Sequence, residues 1–308
     1  MQQSISKYFG MDEYDTLNLN RDHSAKWSVG GKSKNNILIK QLRKPILITI
    51  THSPEIELTP INKCVFNYSK HQLSIIKSNL QKAIRRNEVD NAINSAAHMM
   101  LADGGGIELL RRLCIIIIED KLESIKELGD NYSTLVWIMT TETGFKGWRS
   151  WVLGIIKFIC DKRHIKLDKI HSTIKTGTIS WSDNEYSCSI LLRRSYGGMN
   201  GDMDLLYSCS KYIKSFEIKS KIITPMRKYN KVLTIMPCAI DFHCDREMIR
   251  FLNNKTKLDK DLLKKLIWTY SSSIRYREEL PNKNDDWDRI KYIILNYQNN
   301  IIYNYFNN

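Results

Sequence analysis

No apolar run in this sequence approaches the roughly 20 residues that a helix needs to cross a bilayer. The longest, residues 114–118 (CIIII), is bounded by Arg111, Arg112, Glu119 and Asp120. The N-terminus carries no apolar stretch of the kind at the centre of a secretory signal. Neither a membrane span nor export is expected. No Cys-x-x-Cys pair occurs among 7 scattered cysteines. That odd number in no framework points to a reduced, intracellular setting. Carboxylates are the scarce charge, with 33 Asp and Glu against 47 Lys and Arg, a net charge of +14. Such a surplus favours a polyanionic partner, nucleic acid first, because lysine and arginine release condensed counterions from phosphates. A gene rich in A and T would give the same abundance of Lys, Ile and Asn without that purpose.

Complete catalytic signatures are also missing. GGKS (30–33) lacks the first glycine of a phosphate loop, whose place is taken by Lys26, and no helix is expected after it. Asp202 and Asp204 follow a glycine pair and could hold Mg²⁺ in a nucleotidyl- or phosphoryl-transfer enzyme. The simpler reading is a glycine turn between helices, with Asn200 or Asp202 as cap and an acid in the first turn. Residues 238–245 (CAIDFHCD) gather Cys238, Asp241, His243, Cys244 and Asp245, but without the paired short spacings of a zinc site. No catalytic residue, metal or cofactor is assigned.

What is present is mostly helical periodicity, and a mainly α fold is expected. Residues 1–36 are polar beyond about residue 10 and read as a flexible tail. Residues 37–68 alternate like short strands or an extended arm. A bundle-like helical domain follows over 69–308, in portions 69–165 and 166–308. Ser69 is the expected N-cap of a helix carrying Leu73, Ile76, Leu80 and Ile84. Further helices are expected over 88–101, over 107–122 as a central core element, and around Trp148 to Ile159. Others are expected over 184–196, 202–216, 247–252, 259–271 and 287–297. No internal repeat is detected.

Residues 80–122 go beyond periodicity. Lys82, Arg85 and Arg86, then Asp90-Asn91-Ala92, Gly104 to Gly106, Arg111-Arg112-Leu113 and Glu119-Asp120 stand in a recognisable order. This stretch resembles the C-terminal helical region of the MgsA/RarA/WRNIP family of replication-associated recombination ATPases. Stand-alone segments of this kind occur in phages and large DNA viruses. The family's ATPase module would lie upstream, where residues 1–69 are too few to hold it, so ATP hydrolysis is not carried over. The resemblance implies a helical module acting near replication forks, with a homo-oligomer as one form. On one face, Lys77, Lys82, Arg85, Arg86, Arg111, Arg112, Arg193 and Arg194 would make a phosphate-tracking stripe. Helix C-termini also favour cations, which is a structural use for Arg85 and Arg86.

Residues 2–9 (QQSISKYF) look like a PIP box, the peptide Q-x-x-h-x-x-a-a that binds a PCNA-like sliding clamp. One tight helical turn brings Ile5, Tyr8 and Phe9 together as an apolar plug while Gln2 reaches a polar pocket. The expectation is therefore a DNA replication or repair accessory protein, located where DNA is replicated in a nucleus or a viral compartment. It would bind the clamp through Gln2, Ile5, Tyr8 and Phe9 and touch DNA through a basic helical body. The alternatives are the Asp202/Asp204 enzyme and a structural subunit of a clamp-loader-like assembly.

Overall fold

The computed structural model describes residues 16–29, 36–39, 46–61, 64–162, 184–213, 216–274 and 283–306. The fold is mainly helical, with a few short strands towards the N-terminus. Two compact units form. The first takes Met1–Ile61, Leu110–Val152 and Lys162–Pro225; the second takes Asn62–Leu109, Leu153–Asp161 and Met226–Asn308. The expected division into portions 69–165 and 166–308 is thus not the one observed, because each unit draws on distant stretches of chain.

The first unit holds strands β1 (Thr16–Leu19), β2 (Ala25–Ser28), β3 (Asn36–Ile39) and β4 (Ile46–His52) in the order β2-β1-β4-β3. Strand β1 is antiparallel to β2 and parallel to β4, with Leu17 opposite Trp27. Leu17, Leu19, Ala25 and Trp27 are buried. Residues 16–28 are therefore a hairpin and not part of a flexible tail. Only two inward residues per strand carry the alternation, too few to stand out among polar neighbours. The hairpin turn is held by Asp22, which accepts from Ser24 N at 3.0 Å and from Ser24 Oγ at 2.6 Å. The 37–68 stretch does contain strands, and β5 (Leu58–Pro60) pairs antiparallel with β6 (Thr143–Phe145).

In the second unit, α1 (Lys70–Arg85) starts at Ser69 with a full capping box: Gln72 N donates to Ser69 Oγ, and Ser69 N to Gln72 Oε1. Helix α2 (Val89–Met100) follows, and α3 (Gly105–Asp120), which belongs to the first unit from Leu110 on, begins after Gly104, whose φ of +63° suits glycine. A Cβ on Gly105 would lie 2.3 Å from the Met99 carbonyl oxygen, so the start of α3 is closely packed. Residues 109, 110 and 113–118 of α3 are all buried, as expected of a core helix.

After the short α4 (Ile125–Leu128) comes α5 (Asp130–Thr141), which the periodicity does not reveal. Every residue from Tyr132 to Met139 is buried, so no polar stripe marks its face. Its Thr134 hydroxyl accepts from Ala25 N of the edge strand at 2.9 Å. Trp137 Nε1 donates to Thr51 O at 2.7 Å. Helices α6 (Trp148–Cys160), α7 (Glu185–Ser195) and α8 (Asn200–Tyr212) follow. The C-terminal part of the second unit has α9 (Glu247–Thr256), α10 (Lys260–Ile267) and α11 (Asp285–Phe306). Met248, Ile249, Leu252, Leu263, Leu266, Ile267, Ile290 and Ile294 form their shared core.

Candidate nucleic-acid interface

The paired cations do not form an exposed stripe. Lys82 is buried, with Nζ 2.5 Å from Asp241 Oδ2. Arg85 is buried too, and Nη1 donates to Ser272 O at 2.8 Å while the guanidinium sits 6.0 Å from the Trp268 ring centroid. Arg86 Nη2 donates to Ser271 O at 2.7 Å. Those carbonyls end the π-helical segment Trp268–Ser272 that continues α10. Terminal helix carbonyls have no partner along the chain, so Arg85 at the end of α1 and the C-cap Arg86 supply it. Lys77 is half-buried and pairs with Glu108 at 3.0 Å.

In the first unit, Arg112 pairs with Asp202 at 2.9 Å and with Glu119 at 3.6 Å. Arg193 is buried, donating from Nε to Arg111 O at 2.9 Å and from Nη1 to Gly197 O at 3.0 Å. Arg194 Nε donates to Met203 O at 3.1 Å, and Arg111 lies 6.0 Å from the Tyr196 ring centroid. Residue count and order alone cannot distinguish such internal duties from phosphate contact. The guanidinium fork satisfies several acceptors at once in either setting.

The same contacts bear on the enzymatic candidates. Asp202 stands in the first turn of α8, after a glycine turn in which Gly197 has a φ of +73°. Met199 is the N-cap, not Asn200 or Asp202, and makes no side-chain cap bond. Asp204 is two residues on in the same helix and therefore does not share a face with Asp202. Asp241 is a hub. It accepts from Lys82, from Ser272 Oγ at 3.2 Å, and from the backbone N–H of His243 at 2.8 Å. Burial alone would push its carboxyl up, but the Lys82 ammonium and these hydrogen bonds override that and hold it below the usual range. Burial pushes the Cys238 thiol up. Among the described residues, no group of three or more His, Cys, Asp or Glu side chains is placed to hold a metal.

Two other basic surfaces in the second unit are exposed, and sequence reasoning missed both. The first is residues 226–236, which lack helix or strand. Asn79 Nδ2 donates to Thr234 O at 2.8 Å, and Asn79 Oδ1 accepts from Met236 N at 2.9 Å. Asn94 Nδ2 donates to Val232 O at 3.0 Å. His98 Nε2 donates to Lys231 O at 2.8 Å, so its Nδ1 is the acceptor for the Tyr68 hydroxyl at 2.6 Å. Polar side chains of α1 and α2 thus clamp an extended strap by its backbone. The strap's Arg227, Lys228 and Lys231 remain exposed, and no described carboxylate pairs with them.

The second is the outer side of α9 and α10. Arg246, Arg250, Lys255, Lys257, Lys260, Lys264 and Lys265 are exposed there. Arg250 pairs with Glu247 and Lys264 with Asp261. The other five have no ion-pair partner among the described residues. The only early signal was the charge of the segment, since α9 and α10 were read as helices without a role.

Gln2, Ile5, Tyr8 and Phe9 lie outside the described residues, as does all of GGKS. No helix among the described residues is long and apolar enough to cross a membrane. Comparison of the chain with family models, characterised proteins and solved structures finds no match in any of the three.

Proposed function

We propose that the protein is a DNA replication or repair accessory factor, recruited to a sliding clamp by Gln2, Ile5, Tyr8 and Phe9 and contacting DNA through exposed cations of its second unit. The observation that carries the DNA contact is the strap. Its backbone is fixed by Asn79, Asn94 and His98 while Arg227, Lys228 and Lys231 face outwards. Cations on a segment whose backbone is already ordered bind a polyanion at the cost of ordering their side chains alone. The net charge of +14 supplies the general attraction. Support for the clamp contact is the complete Q-x-x-h-x-x-a-a pattern in the sequence, together with the fork-protein resemblance of residues 80–122.

Two measurements test the proposal. Purified PCNA-like clamp should be retained by the wild-type protein and lost when Tyr8 and Phe9 are both replaced by alanine; unchanged retention refutes recruitment. DNA affinity should fall steeply as salt rises, since each phosphate contact releases counterions. Affinity indifferent to salt refutes a phosphate-led contact.

A further inference from the structure

We propose that α9, the turn after it and α10 form a helix–turn–helix surface that lays α10 along the major groove of duplex DNA. This rests on the DNA-binding reading above and adds the element and the form of DNA.

The connectivity is that of the motif: two helices, a turn over 257–259, and a further helix, α11, completing the core behind them. The turn is fixed locally. Lys257 takes the left-handed conformation (φ 61°, ψ 11°) that ends α9, and its N–H bonds Asn253 O. Asn253 Nδ2 donates to Leu258 O at 2.8 Å, and Leu258 packs on the shared core. Asp259 then caps α10, accepting from Asp261 N at 2.8 Å and Leu262 N at 3.2 Å. Helix α10 consequently leaves the turn in one direction, with Leu263, Leu266 and Ile267 inward.

Its other face is cationic. Lys260, Lys264 and Trp268 recur every four residues and so line one side of the helix, with Lys265 beside them. All four are exposed, Trp268 at 44%. The acids here are Asp261, engaged by Lys264, and the cap Asp259, which is also exposed and within electrostatic reach of Lys264. Lys257 in the turn and Lys255 in the last turn of α9 add positive charge at the start of α10. Glu247 offsets only Arg250. The major groove admits an α-helix, with phosphates along both rims to meet such flanking cations. The lysines along the exposed side of α10 match that geometry.

The test is fluorescence anisotropy with a labelled mixed-sequence duplex, titrated against salt. It compares the wild-type full chain with Lys260→Ala/Lys264→Ala/Lys265→Ala and with Arg227→Ala/Lys228→Ala/Lys231→Ala. All substituted side chains are exposed, and a thermal melt matching wild type confirms folding. The α10 variant should lose affinity at least about tenfold, and its slope of log affinity against log salt should shrink by about 2 to 3, near 0.9 for each lost contact. Full affinity in that variant, with loss confined to the strap variant, overturns this proposal and leaves the DNA-binding reading intact. Absence of duplex binding by the wild type at low salt overturns both. Equal competition by duplex RNA or by poly-glutamate, with the same sensitivity to the α10 lysines, overturns the assignment to duplex DNA.

Discussion

Lys82 Nζ and Asp241 Oδ2 lie 2.5 Å apart, with side chains only 5% and 6% accessible. Such a pair gains little over well-packed apolar residues, but losing one member leaves an uncompensated charge in the interior. Asp241→Ala should therefore destabilise by about 3–5 kcal/mol. Lys82→Met combined with Asp241→Leu should recover much of that loss. Urea denaturation of the wild type and the two variants checks both, and a cost near zero for Asp241→Ala would contradict the buried pairing.

Acid should expose the same pair. The Asp241 carboxyl is held below its ordinary value in the folded state. Its contribution is therefore fully present above the unfolded value of about 4 and drains as pH falls through the lower folded value. Stability measured by urea at stepped pH should drop below about pH 4. The Asp241→Asn variant, although less stable throughout, should show a shallower drop there.

Trp27 Nε1 donates to Ser189 Oγ at 2.8 Å, and Ser189 Oγ shares a further hydrogen bond with Ser133 Oγ at 2.7 Å. Replacing Ser189 with alanine removes the hydroxyl that bonds both Trp27 Nε1 and Ser133 Oγ and should cost about 1–3 kcal/mol. Trp27→Ala should cost more, about 3–5 kcal/mol. A flexible tail would not register the Trp27 change in a thermal melt.

Asp202 pairs with Arg112 while both are largely buried, at 13% and 16% accessibility. Asp202→Asn should lower stability by about 1.5–3 kcal/mol, whereas Asp204→Asn, on an exposed side chain, should have little effect. A Mg²⁺-dependent phosphoryl transfer abolished by Asp202→Asn at unchanged stability would restore the enzymatic alternative.

Much of the helical order was legible because it depends on local chemistry. Ser69 with Gln72, the break before Gly105, and Asn184 capping α7 by accepting from Tyr186 N and Ser187 N are each decided within a few residues. Helix α5 escaped because burial on nearly every side removes the polar stripe that marks a helix. The hairpin over 16–28 escaped for the opposite reason, since four buried residues among polar ones leave too short a pattern.

Amino-acid sequence by itself determined the helical class, the cap at Ser69 and the surplus of positive charge, all properties of composition or short-range spacing. Tertiary structure alone decided what the charges do. Arg85 and Arg193 look no different in the sequence from Lys260 or Lys265, yet the first two are buried against carbonyls and the others face solvent. Whether a cation meets a carbonyl or a phosphate depends on which distant segment folds over it. In Arg85 that segment is Ser272, and in Lys82 it is Asp241.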